Sequence, residues 1–225
     1  MIVVTGASKG LGRAVCDRLA GQGFEVLGLA RNVEDLPFTA LACDVSSYEQ
    51  VKVVAQKLKR DGARVQAVVN AAGIASMNLA VTTPPAVATN IVHTNLLGTI
   101  YCCQNFAPLM MRNKAGSIIN FSTIAVALGL KGESVYAASK AGVEGFTRAF
   151  AREMADFNIN VNCIAPGPID TNLLKGITSE QIKRIVTRQI IPRQFTPDAV
   201  CDLVEILIDG RSSSLSGQVL HVGGA

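Results

Sequence analysis

A tyrosine and a lysine stand four residues apart in "SVYAASKAG", residues 134–142, among side chains that are otherwise small. On a helix, positions i and i+4 share a face, so Tyr136 and Lys140 project into the same space. A phenol has a free pKa of about 10, and a neighbouring ammonium that favours phenolate brings it nearer working pH, where it can serve as a proton donor. The same spacing on a solvated helix face is a common accident. The pair carries chemistry only if the rest of the chain supplies something for it to act on.

A second stretch does so. "TGASKGLG", residues 5–12, follows the apolar run "MIVVT" and precedes a helical stripe of Leu11, Val15 and Leu19. Glycines at Gly6, Gly10 and Gly12 would let the backbone approach a pyrophosphate, and the helix start would offer it unpaired N–H groups and a positive dipole end. No Gly-Lys-Ser/Thr follows at the place a P-loop requires, so that class is excluded. A tight turn without a ligand is the alternative.

The elements that would position these groups alternate along the chain. "MIVVT", "FEVLGLA", "TALAC", "VQAVVN", "SIINFS", "INVNCIA" and "QVLHV" read as strands, separated by amphipathic stretches such as Val143, Phe146, Phe150 and Met154. This order predicts an α/β fold: a single-domain, Rossmann-like, doubly wound parallel sheet with helices on both faces and right-handed crossovers, over residues 1–225. Pro84 and Pro85 open a helix running to about Arg112, and a second long helix covers residues 133–156.

Composition narrows the class further. With 49% hydrophobic and 17% charged residues in 225, the chain is globular. No apolar segment or basic leader suggests a membrane span or signal peptide, so a soluble, cytoplasmic protein is expected. The six cysteines show no metal-binding spacing and are expected to be reduced and buried, with no metal site. Residues 172–193 hold Lys175, Lys183, Arg184, Arg188 and Arg193 against Glu180 alone, which equals the whole net charge of +4. With few aromatics interleaved, this is a poor nucleic-acid footprint. It reads as a solvated face, or as a basic rim for an acidic substrate or carrier protein.

Taken together, these motifs resemble the short-chain dehydrogenase/reductase family over essentially the full length. The resemblance rests on TGxxxGxG at residues 5–12, Asp44 in "CDV", "NAAG" at residues 70–73, Asn95 in "HTNLLGT", Tyr136 and Lys140 in "YAASK", and "PGPIDT" at residues 166–171. It implies a nicotinamide-dependent oxidoreductase and a homo-oligomer, expected to be a tetramer. In that family the glycine turn, with Ser8, Lys9 and Leu11, would hold the pyrophosphate. Asp44 and Val45 would meet the adenine, and Asn70, Ala71, Ala72 and Gly73 would pack on the adenosine side. Pro166, Gly167, Ile169 and Thr171 would hold the nicotinamide end. Tyr136 would protonate a carbonyl oxygen as hydride arrives, Lys140 would tune it and grip the ribose, and Asn95 would hold a water linking the lysine to solvent.

Arg31 occupies the slot at the end of the second strand where NAD enzymes usually place an acid for the ribose 2′-hydroxyl. With Lys9 it offers two cations to a 2′-phosphate, which points to NADPH (NADP+), although Glu34 and Asp35 lie close by. The third catalytic hydroxyl is Ser122 or Thr123. Adjacent side chains at a strand end point to opposite faces, so only one can face the nicotinamide. The family's serine most often lies thirteen residues before the tyrosine, which arrives at Thr123. The motifs look most like those of 3-oxoacyl-[acyl-carrier-protein] reductases. A reductase of another ketone, sugar or polyketide, or a non-catalytic NADPH-binding sensor or scaffold, is the alternative, and residues 172–193 are expected to shape the substrate side.

Overall fold

The computed structural model describes residues 1–170 and 178–225. Seven strands form one parallel sheet: β1 (Ile2–Thr5), β2 (Val26–Ala30), β3 (Ala40–Ala42), β4 (Ala67–Asn70), β5 (Gly116–Phe121), β6 (Ile159–Pro166) and β7 (Val219–Val222), in the spatial order β3-β2-β1-β4-β5-β6-β7. All seven fall on the apolar runs expected to be strands. The helices are α1 (Gly10–Gly21), α2 (Tyr48–Arg60), α3 (Pro85–Val92), α4 (Gly98–Met111), α5 (Ile124–Leu128), α6 (Ser134–Met154), α7 (Ser179–Val186) and α8 (Pro197–Ile208).

Strand side chains alternate between faces, so each strand feeds two cores. Val3, Leu29, Val68, Ile118 and Val161 pack with Val51, Phe106 and Phe150 from α2, α4 and α6. Ile2, Val4, Val69, Ile119 and Ile164 pack with Val15 and Leu19 of α1 and with Val200 and Val204 of α8. Arg18 fastens α1 to α8 through Asp198, Asp202 and Glu205. All six cysteines are free and buried among these layers.

The helix expected from Pro84 to about Arg112 is broken in a way the sequence did not show. Pro85 opens α3, a π-helical turn at His93–Leu97 follows, and α4 continues beyond it. A wide turn of this kind frees backbone groups that side chains must satisfy. Here the Thr99 hydroxyl donates to the Asn95 carbonyl at 2.8 Å, and Asn95 itself is fully buried. No helix among the described residues is long and apolar enough to cross a membrane, and no cluster of potential metal ligands occurs among them.

Candidate active site

The C-terminal ends of β1, β4, β5 and β6 meet at one edge of the sheet, where an open parallel sheet places its ligands. At the end of β1 the chain turns through Gly6 and Gly10, whose φ angles of +71° and +60° lie in the left-handed region that glycine adopts freely. A Cβ at Gly6 would come within 2.9 Å of the Ala72 backbone, and one at Gly12 would collide with the Gly6 carbonyl. Thr5 locks the arrangement, its hydroxyl accepting from the Ala72 N–H at 3.0 Å. Lys9 caps α1 in extended backbone without a side-chain cap bond, and the first turn carries no acid. The glycine turn thus leads straight into the N-terminus of α1, which has neither a side-chain cap nor an acid in its first turn, with Ser8 and Leu11 beside it.

These residues fit a dinucleotide. Arg31 is exposed at the end of β2, and Lys9 is exposed on the glycine turn. Glu34 is turned into a local bend, its N–H donating to Asn32 Oδ1 at 2.9 Å. The Asp44 carboxylate accepts from the Ser46 N–H and hydroxyl, while Ser47 caps α2. Val45 is buried against Gly98, where a Cβ would approach it to 2.9 Å, so the adenine-side loop and the start of α4 are mutually fitted. Asn70 is buried and donates to Asn120 Oδ1 at 2.9 Å, tying β4 to β5 from within; Ala71 and Ala72 continue the turn. Pro166 ends β6, and Ile169 is buried in a bridge with Phe195. Thr171 lies outside the described residues.

On the β5–β6 side the chemistry-bearing groups converge. Tyr136 and Lys140 both sit on the buried face of α6, at 8% and 4% exposure. Lys140 Nζ donates to the Phe121 carbonyl at the end of β5 at 2.8 Å, and a Cβ on Gly73 would lie 3.4 Å from that nitrogen and 3.3 Å from Asn95 Oδ1. Asn95 bonds both the N–H and the carbonyl of Ile74, at 2.8 and 2.9 Å, and donates to the Ser139 hydroxyl at 3.1 Å. Ser139 passes the link on to the Tyr136 carbonyl at 2.7 Å. The π-helical turn thus holds the "NAAG" turn and the helix of the tyrosine in one frame.

The two adjacent hydroxyls part ways, as strand alternation requires. Ser122 is buried and donates to Glu144 Oε1 at 2.7 Å, on the helix side. Thr123 caps α5, its hydroxyl accepting from the Ala125 N–H at 3.3 Å.

Burial raises the phenol's pKa above its ordinary value, the Glu133 charge adds to that, and the Thr123 hydroxyl opposes it. Lys140 directs its ammonium at the Phe121 carbonyl, and burial brings its own pKa down to about 8. Two residues at this edge have no counterpart in the sequence reading. Glu133, the lone acid in "GESVY", stands three positions before Tyr136, where helical spacing looking backward as well as forward could have found it. Gln189, buried, lies against Gly167 in the loop after β6, where a glycine Cβ would collide with its Oε1, and donates to the Arg193 carbonyl at 2.8 Å. No sequence pattern marks that contact.

A glycine-turned dinucleotide cradle opposite a buried tyrosine and lysine defines a nicotinamide-dependent oxidoreductase, and the chain belongs to the short-chain dehydrogenase/reductase family. A family model described as enoyl-(acyl carrier protein) reductase matches residues 6–224. The chain is 36% identical to carbonyl reductase family member 4 of Danio rerio, covering 100% of this chain and 96% of that protein. It is likewise 36% identical to the 3-oxoacyl-[acyl-carrier-protein] reductase of Homo sapiens, over 98% of this chain and 95% of the relative. Among solved structures, NADP-bound ElxO superposes with a TM-score of 0.88 at 28% identity, covering 98% of this chain and 96% of that one.

Proposed function

We propose that the protein is an NADPH-dependent reductase that converts a 3-oxoacyl thioester to the secondary alcohol. The observation that carries this reading is the burial of Tyr136 and Lys140 on one face of α6, with Lys140 Nζ on the Phe121 carbonyl, two residues before Thr123, and beside Gly73 of the turn that packs against Gly6. When bound, the nicotinamide supplies the hydride. Tyr136 donates its phenolic proton to the carbonyl oxygen, and Thr123 donates a hydrogen bond to the same oxygen. Lys140 holds the ribose, and Asn95 keeps the lysine's surroundings in register. Arg31 and Lys9 select the 2′-phosphate, Arg31 through its bidentate fork; the NADP carried by ElxO supports the same preference.

The thioester is supported by the reductases of that name among the relatives. Exposed Lys183, Arg184, Arg188 and Arg193 beside the site suit an acidic carrier protein. We also propose a cytoplasmic homotetramer; the exposed stripe of Ala138, Ala141, Gly145 and Ala149 along α6 would let helices of neighbouring subunits approach closely.

The test is reduced-nicotinamide oxidation with acetoacetyl and longer 3-oxoacyl thioesters beside unrelated ketones. Faster oxidation with the thioesters is expected. Equal or faster oxidation with the unrelated ketones would replace this substrate class, and oxidation with none of them would favour a silent binder.

A further inference from the structure

The loop that follows α7 delivers Gln189 to the catalytic edge of the sheet, where its side chain is buried at 5% exposure. Both amide hydrogens are employed: Nε2 donates to the Ile191 carbonyl at 3.2 Å and to the Arg193 carbonyl at 2.8 Å. Those two bonds fix which end of the amide is which. Oε1 is left on the opposite side, buried and without a hydrogen-bond partner among the described residues. An amide oxygen withdrawn from water without a donor is costly, so its place is not explained by stability.

Oε1 faces two glycines. A Cβ on Gly167, one residue beyond the end of β6, would collide with it, and a Cβ on Gly223, one residue beyond β7, would lie 3.1 Å from it. Gly223, at φ +93°, is a glycine on backbone grounds as well. Gly167 is not at positive φ, and apart from the Gln189 amide the nearest atom to a Cβ there would be the Val222 carbonyl oxygen at 3.4 Å, an ordinary contact. Gln189 is therefore what forbids a side chain at Gly167. The contact joins three pieces of chain, since the Gly167 N–H donates to the Val222 carbonyl at 3.3 Å and the Ile191 N–H to the Gly223 carbonyl at 2.8 Å. The same end of β6 adjoins the catalytic pair: the Ser122 N–H donates to the Ile164 carbonyl at 2.8 Å, and Lys140 holds the Phe121 carbonyl one residue before it.

We infer that Gln189 is a positioning residue for the cofactor: its amide, anchored on the Ile191 and Arg193 carbonyls, is a strut against Gly167 that sets the place of the turn on which the nicotinamide end rests. It acts through Gly167 and not by touching the cofactor. This rests on the reductase reading, in which the nicotinamide lies against that turn, and adds to it a link from the loop after α7. Gly6, Arg31 and Asp44 follow β1, β2 and β3, on the other half of the sheet from β6, so the strut bears on the nicotinamide half of the cofactor alone.

The experiment titrates NADPH and 2′,5′-ADP, the adenosine fragment that carries the 2′-phosphate and no nicotinamide, by calorimetry into wild type, Gln189→Ala, Gly167→Ala and the double variant. Gln189→Ala is expected to weaken NADPH by about tenfold and to leave 2′,5′-ADP within about twofold, which also reports that the variant is folded. Gly167→Ala should weaken NADPH at least as much, because its Cβ meets the amide. In the double variant that Cβ occupies the space the amide has left, so the loss should stay near tenfold, whereas independent effects would multiply to about a hundredfold. A multiplied loss overturns the inference, as does a Gly167→Ala that binds NADPH like wild type. So does a Gln189→Ala that leaves NADPH unchanged or weakens both ligands alike. A wild type that binds neither ligand overturns the reductase reading and this inference with it; a wild type that binds NADPH without the selective loss in Gln189→Ala overturns this inference alone.

Discussion

The two sides of the catalytic edge are built by different means. Around β1 and β4 the site is backbone: Gly6 and Gly10 at positive φ, Gly12 against the Gly6 carbonyl, and the Ala72 N–H on Thr5. Around β5 and β6 it is side chains from separate elements: Thr123 from the β5–α5 junction, Tyr136 and Lys140 from α6, Asn95 from the π-helical turn and Glu133 from the turn before α6. A backbone site is specified by where side chains are absent, and it leaves a compact signature in the sequence. A side-chain site depends on which way each group points, and one residue's difference in position reverses it.

The largest effects that would sharpen this contrast belong to the side-chain half. Thr123→Ala is expected to cost roughly 3 kcal/mol of transition-state stabilisation, about a hundredfold in kcat/KM, while Thr123→Ser stays active. Ser122→Ala should leave turnover nearly intact and lower stability by about 1–2 kcal/mol in denaturant unfolding, since it strips a buried partner from Glu144. If Ser122→Ala cripples turnover and Thr123→Ala does not, the hydroxyl assignment is reversed.

A smaller effect follows from Lys140. Its pKa of about 8 means that the ammonium is present below that pH and lost above it. Cofactor affinity of the free enzyme should therefore fall by up to about tenfold for each pH unit above about 8. Titration by nicotinamide fluorescence should show this slope in the wild type and a flat response in Lys140→Met; a flat wild type would detach the lysine from the cofactor. On the backbone side, Arg31→Asp should reverse a preference for NADPH over NADH by about tenfold, the scale of one charge-assisted contact. Equal wild-type affinities for the two cofactors would refute the role given to Arg31.

The sheet was legible because parallel strands buried on both faces appear as short apolar runs, and each such run became a strand. The glycine turn was legible for the reason already given. The π-helical turn was not, because the one weak helix former in "HTNLLGT", Gly98, lies just beyond it, and the bonds from Asn95 to Ile74 and Ser139 exist only after folding. Alternation at the strand end showed that Ser122 and Thr123 must diverge, but not which face each would take. Glu133 escaped notice because a single acid in a polar turn looks solvated, and its burial comes only with folding. The direction of the Tyr136 shift depends on the same burial, which spacing does not express.

Tyr136→Phe tests the central claim most directly, because it removes the phenolic oxygen and keeps the ring. Reduced-nicotinamide binding and turnover of a 3-oxoacyl thioester should be measured on the same preparation. Cofactor affinity is expected to stay within about threefold of wild type, while kcat falls by about 10²–10⁴, the range of a lost general acid. Wild-type turnover in Tyr136→Phe would contradict the assignment of the phenol as the proton donor.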